Sequence, residues 1–95
     1  MSTTVGLLHL DVMIGDAMSL KDKRRIVKSF KDRLSHRANV SVAEVDHQDD
    51  IRRGTLAVAM VGSDGRYVAG ALEKIVASAR DFRGWTMLDY ELEMI

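Results

Sequence analysis

The sequence contains no cysteine. That absence excludes disulfide bonds, thiol catalysis and cysteine-ligated zinc or iron–sulfur centres. The sequence also has no Walker loop, no GxGxxG turn and no GxSxG nucleophile elbow. No apolar run approaches the roughly 18 residues that a membrane-spanning helix needs, and no basic stretch precedes a hydrophobic region at the N-terminus. We therefore predict a cytoplasmic protein that is not an enzyme and has no cofactor, no metal, no known small-molecule ligand and no membrane contact.

Net charge is also absent, because fourteen Lys and Arg residues balance fourteen Asp and Glu residues. The whole molecule therefore has no electrostatic reason to bind nucleic acid or an anionic membrane. The charge is nevertheless unevenly distributed. Between Lys21 and Arg37 eight basic residues face only two acidic ones, which gives this segment a charge of +6 and leaves −6 for the rest of the chain.

The length of 95 residues fits one folding unit, since a second hydrophobic core could not be closed in so short a chain. Apolar residues make up 46% of the sequence and charged residues 29%, a balance typical of chains that fold without a partner. We predict a single domain over residues 1–95.

The first half of the chain changes from a strand pattern to a helix pattern. Residues 5–14 alternate, with Leu8, Leu10, Val12 and Ile14 on one side and His9 and Asp11 on the other. A helix is predicted from about Lys21 to His36, with Ser19 and Asp22 as a capping pair. Its apolar residues recur at helical spacing: Ile26, Val27, Phe30 and Leu34.

The second half predicts strand, strand, helix and strand. The segment Val40–His47 is rich in β-branched residues, but its apolar phase slips between Val42 and Val45, so we predict a bulge near Ala43 and Glu44. Residues 47–54 are predicted as a loop, residues 55–61 as a strand, and a helix follows the turn at 62–65 and runs to about Arg80. Residues 88–94 alternate again as a last strand.

The predicted order is βαββαβ, the pattern of the split βαβ, or ferredoxin-like, α+β fold. In that fold both helices cover one face of a four-stranded antiparallel sheet, and the other face stays open. The last strand would place Asp89, Glu91 and Glu93 on the open face, while Thr55, Ala57, Ala59 and Val61 of the third strand would lie there too.

One candidate functional feature is a row of basic residues on the first helix. In a helical projection five of them lie opposite the apolar stripe and form a basic ridge: Lys21, Arg24, Arg25, Lys28 and Lys31. Such a ridge suits contacts with the phosphates of structured RNA. A helix face that is charged only for solvation gives the same pattern, so both interpretations stay open.

The open sheet face is a second candidate. It would gather six residues that could form an interaction surface: His9, Asp11, Ala57, Ala59, Asp89 and Glu91. The two alanines would leave room for close approach of a second copy, and Leu7, Met13 and Met87 would add apolar area. The alternative hypothesis is therefore a protein-interaction module, a homodimer, that uses the open sheet face or an edge strand. The acidic strand and the lack of stacking aromatics argue against base recognition on this sheet. Neither predicted helix carries a His-x-x-x-His or Glu-x-x-His pair, so no metal site is predicted.

Three long blocks, Ser19–Leu34, Asn39–Asp49 and Leu88–Glu93, together closely resemble the YlxP-like family of small uncharacterised bacterial proteins. The resemblance implies a ferredoxin-like fold and carries over no catalytic or binding residue. Members are often encoded beside translation initiation and ribosome maturation factors, which implies a place near ribosomal RNA. The leading hypothesis is therefore a non-enzymatic accessory protein that binds RNA or the ribosome through its basic helix.

Overall fold

A computed structural model describes residues 2–95. The chain forms four strands and two helices in the predicted order βαββαβ. Their bounds are β1 Thr4–Met13, α1 Leu20–Arg37, β2 Val40–Asp46, β3 Arg53–Gly62, α2 Gly65–Asp81 and β4 Thr86–Met94. The third strand begins two residues earlier than predicted, because its pairing with β1 continues to Arg53 opposite Met13. The single domain over residues 1–95 stays a prediction, and Met1 lies outside the described residues.

The four strands form one antiparallel sheet in the order β2-β3-β1-β4. Both helices pack on the same face, where alternate residues of β1 and β3 are buried beneath them. This arrangement confirms the ferredoxin-like α+β fold. The fully buried residues of β1 are those that the alternation predicted: Leu8, Leu10, Val12 and, just beyond the strand, Ile14. Each such side chain contributes roughly 1.5 to 3 kcal/mol of hydrophobic free energy.

The start of α1 is fixed by the predicted pair of capping residues. Ser19 has extended backbone angles, and its Oγ accepts a hydrogen bond from the backbone N–H of Asp22 at 3.1 Å. The Asp22 carboxylate in turn accepts from the backbone N–H of Met18 at 3.1 Å. Two backbone donors that the helix itself cannot satisfy are thereby paired, as in a capping box.

An aromatic cluster fastens α1 to the segment that joins α2 and β4. The Phe30 ring centre lies 5.2 Å from that of Phe82 and 4.7 Å from that of Trp85. The Trp85 indole N–H also donates to the carbonyl oxygen of Ala79 at 2.9 Å, which satisfies an acceptor near the end of α2. Gly84 is required here, because a Cβ at this position would lie 2.5 Å from Cε2 of Phe82. The cluster therefore couples three elements through a few large side chains.

The bulge predicted in β2 exists, but it lies slightly further along the strand. The register with β3 shifts between Glu44 and Asp46, so Val45 is the extra residue. Val42 is buried whereas Val45 is 45% exposed, so the bulge does not bring Val45 into the core. It leaves Glu44 opposite Leu56, on the face that the helices cover.

A second bulge, which we did not predict, alters the start of β4. The register with β1 shifts so that Asp89 pairs with Asp11 but Met87 pairs with Val12, leaving Leu88 without a partner. The expectation that Met87 adds apolar area to the open face is therefore wrong. The extra residue reverses the alternation, and Met87 packs against the core.

Candidate nucleic-acid interface

The basic ridge lies on the outer surface of α1. Its five side chains are all exposed, whereas Val27, Phe30 and Leu34 on the inner side are buried. The helical period thus separates the two groups as the sequence predicted. The exposed cations lie on a regular helix, so the spacing of their Cα atoms is set by the backbone.

Two members of the ridge are paired with carboxylates. Arg25 lies 3.1 Å from Asp22, and the Lys28 ammonium donates to Asp32 at 2.6 Å. The hydrogen bond from Lys28 holds the pKa of the Asp32 carboxyl below its usual value, so Asp32 stays ionised to a lower pH than an ordinary aspartate does. The stabilisation from this pair is present above the ordinary carboxyl pKa and is lost only as the pH falls through the lowered one.

The other three ridge cations are available to contact a ligand. Within residues 2–95, no carboxylate lies within ion-pair distance of Lys21, Arg24 or Lys31. Exposed pairs such as those of Arg25 and Lys28 are weak, but they must still be broken before the cation can contact a phosphate. We call Lys21, Arg24 and Lys31 the free cations of the ridge, and they are the strongest candidates for direct phosphate contacts.

One further cation of α1 was missed by sequence reasoning: Lys23 is completely buried. Its Nζ donates to the backbone carbonyl oxygens of His47 at 2.5 Å and Asp50 at 2.6 Å. It also lies 2.7 Å from Oε2 of Glu44, in the geometry of an ion pair and not of a directed hydrogen bond. The signal was available, because Lys23 continues the spacing of Val27 and the rest of the buried stripe.

The contacts of Lys23 organise the loop between β2 and β3. In the described chain, His47 is the one residue other than glycine that has a positive φ, at 59°. Residues that carry a Cβ disfavour this backbone conformation. The carbonyl oxygen of His47 is held by Lys23 from one side. On the other side, its backbone N–H donates to Asp46 Oδ1 at 2.7 Å. Lys23 thus fixes the first turn of α1 against the loop and thereby the position of the ridge.

The open sheet face brings together the six residues predicted there. Opposite His9 lie Ala57 on β3 and Glu91 on β4, and Asp11 faces Asp89. Ala59 completes the set opposite Leu7. Asp89 and Glu91 are exposed, and the other four are half-buried. The face is open and acidic along β4, and its use as a homodimer surface stays a prediction.

A short hydrogen-bonded chain crosses one end of the open face. The Thr55 hydroxyl donates to Asp11 Oδ1 at 2.6 Å, since a carboxylate can only accept. The same hydroxyl oxygen lies 3.1 Å from Nδ1 of His47, so Nδ1 must carry the proton. This chain orients the His47 ring, but within residues 2–95 no three histidine or carboxylate side chains are arranged to hold a metal ion. Nor is any helix in that part of the chain long and apolar enough to cross a membrane.

The helical side of the protein also carries a cleft that sequence reasoning missed. It lies between the end of α1 and α2, above Met60 of β3, and has a volume of about 660 Å³. Three cations from different parts of the chain line it: Arg37, Arg66 and Lys74. No sequence spacing signals their proximity, because it arises only when the two helices pack side by side on the sheet.

Comparisons with known proteins agree with the fold and the sequence resemblance. The "De novo designed protein Foldit4" matches with a TM-score of 0.61 over 99% of this chain and 97% of that chain, and its 14% identity makes this a likeness of fold alone. "Uncharacterized protein YlxP" of Bacillus subtilis (strain 168) is 31% identical over 78 residues, which are 82% of this chain and 85% of that protein. Residues 5–92 match the family "Protein of unknown function (DUF503)". The chain therefore belongs to the YlxP-like DUF503 family, whose function is uncharacterised.

Proposed function

We propose that this protein binds structured RNA, alone or within a ribonucleoprotein, through the basic ridge of α1. The observation that carries the proposal is the exposure of all five ridge cations on one regular helix, three of them without a carboxylate partner among residues 2–95. Duplex RNA presents a dense array of phosphates, and cations on a rigid element can contact several of them at once. The role is that of an accessory protein without chemistry of its own.

The distribution of charge supports this orientation. The segment from Lys21 to Arg37 carries +6, while β4 presents Asp89, Glu91 and Glu93 on the opposite side of the molecule. An RNA approaching from the side of the helices is attracted, and one approaching the sheet meets acidic side chains. The contacts would be made to phosphate and sugar, so we expect recognition of RNA shape and little dependence on base sequence.

Removing two free cations tests this proposal. In the double variant Lys21→Gln and Arg24→Gln we expect affinity for a ribosomal RNA stem-loop to fall, because two phosphate contacts are lost. The slope of log affinity against log salt concentration should become shallower by about one for each contact. Fluorescence anisotropy with the labelled stem-loop at several salt concentrations measures both quantities.

The matched control is the double variant Arg25→Gln and Lys28→Gln, which removes the same charge from the same helix face. Because these cations are already paired with Asp22 and Asp32, we expect a smaller loss of affinity. Equal losses would contradict the assignment of the free cations. Unchanged affinity in both variants would contradict the proposed function itself.

A further inference from the structure

The cleft between α1 and α2 has the size of a small-ligand site. Its volume of about 660 Å³ lies within the range of roughly 300 to 1,000 Å³ that such sites usually occupy. Its apolar lining comes from the core edge, with Leu34 of α1, Met60 of β3 and Ile75 of α2. The site is therefore framed by three elements that the sheet holds in fixed positions.

The charge of the cleft has one sign. Arg37, Arg66 and Lys74 line it, and none of the described residues that line it is an aspartate or a glutamate. Within residues 2–95, none of these three cations lies within ion-pair distance of a carboxylate. Two arginines and a lysine around a concave surface with apolar walls concentrate positive potential there and match the oxygen atoms of a phosphate.

An aromatic ring stands at the rim of the same cleft. Tyr67 is 70% exposed, which is unusual for a large aromatic side chain in the first turn of a helix that otherwise packs its apolar residues inward. Gly70 follows about one turn later, and apart from the adjoining turns of α2 no atom of the described chain lies within 4 Å of a Cβ placed there. The space beside the ring is therefore open, and an exposed ring next to cations is the arrangement on which nucleic-acid bases stack.

We propose that this cleft binds a phosphate-bearing nucleotide, with Arg37, Arg66 and Lys74 contacting the phosphate and Tyr67 lying against the base. The inference rests on the proposed function, because the expected source is an unpaired nucleotide of the RNA whose phosphates contact the ridge. A free mononucleotide has the same chemistry and is the second source. The cleft and the ridge both lie on the helical side of the molecule, away from the acidic strand β4.

Placing a carboxylate in the cleft tests the inference. Gly70→Glu should raise the dissociation constant for a short labelled oligouridylate about tenfold or more, because the new charge repels phosphate and pairs with the cations. Glutamate favours a helix more than glycine does, so the fold should be retained, and circular dichroism checks this. Arg80→Gln is the matched control. It makes the same change in net charge on an exposed side chain of α2 that does not line the cleft, and we expect little effect from it.

The contribution of the ring is measured separately. Tyr67→Leu should weaken binding of the oligonucleotide more than Tyr67→Phe, since only leucine removes the stacking surface. Calorimetric titration of the wild-type protein with AMP identifies the source of the nucleotide. The oligonucleotide is compared in the Lys21→Gln and Arg24→Gln variant, because the ridge of the wild-type protein also attracts a charged strand. There, tighter binding of the oligonucleotide than of AMP indicates an RNA strand, and equal affinities indicate a free nucleotide.

Two results would overturn the inference: no binding of either probe to the wild-type protein at millimolar concentration, or equal affinities of the wild-type protein and Gly70→Glu. The two probes distinguish a cleft that does not bind a nucleotide from a ridge that does not bind RNA. The ridge variants Lys21→Gln and Arg24→Gln should weaken binding of the RNA stem-loop but leave AMP affinity unchanged. Gly70→Glu should weaken the binding of AMP while leaving most of the stem-loop affinity.

Discussion

Replacing Lys23 by methionine should destabilise the protein by about 3 to 5 kcal/mol, the usual cost of breaking a buried ion pair from one side. Methionine fills a similar volume but donates no hydrogen bond. The carbonyl oxygens of His47 and Asp50 would lose their donor, and the Glu44 side chain, only 18% exposed, would lose its counter-ion. An unpaired buried acceptor costs more than the original hydrogen bond contributes. Urea unfolding, with the slope checked for constancy, measures the change.

A comparison with two further variants separates this mechanism from a general effect of charge. Arg25→Met removes a cation two residues away, but one that is exposed and paired on the surface, so its cost should stay below about 1 kcal/mol. The double variant Lys23→Met and Glu44→Leu removes both charges and should recover part of the loss, although the loop carbonyls remain without a donor. Equal stabilities of Lys23→Met and Arg25→Met would show that Lys23 does not hold the loop.

Truncation of Phe30 to alanine should have an effect of similar size, about 3 to 5 kcal/mol. Phe30 is completely buried, and its ring contacts both Phe82 and Trp85, so the cavity opens at the junction of α1 with the end of α2. Gly84 keeps the connecting backbone close to Phe82, which limits how far the site can collapse. Phe30→Leu, which retains most of the volume, should cost less.

Urea unfolding followed by Trp85 fluorescence measures this effect at the cluster itself. If Phe30→Ala lowered the free energy of unfolding by less than about 1 kcal/mol, the neighbouring rings would have refilled the space. The aromatic cluster would then not be what holds α1 against the end of α2. Since the ridge lies on the outer side of the same helix, a loosened α1 should also weaken the binding of RNA.

Strand β1 was predictable because one simple rule governs it. One of its faces is buried throughout, so the period of two survives from Leu8 to Val12 without interruption. Strand β4 alternates equally well in the sequence, yet its bulge at Leu88 moved Met87 to the core. Nothing in the sequence marks that extra residue, because Leu88 and Met87 are both apolar and fit either phase.

The ridge could be predicted from the sequence, whereas the cleft could not. The ridge depends on spacing within one helix, so a helical projection of the sequence is enough to show it. The cleft depends on Arg37 at the end of one helix meeting Arg66 and Lys74 of another, which is a consequence of packing on the sheet. Lys23 lies between these cases. Its spacing placed it on the buried stripe, but its charge argued for solvent. The loop carbonyls and the Glu44 carboxylate together explain why Lys23 is buried.

Binding of the wild-type protein to ribosomal RNA fragments and to heparin, each at two salt concentrations, shows whether the protein recognises RNA beyond its charge. Heparin offers a dense negative charge without the shape of an RNA helix, so it measures the purely electrostatic part of binding. We expect the protein to prefer a ribosomal fragment, and we expect this preference to persist at the higher salt concentration. Weak binding, or equal binding of heparin and RNA that disappears together as salt rises, would contradict this expectation.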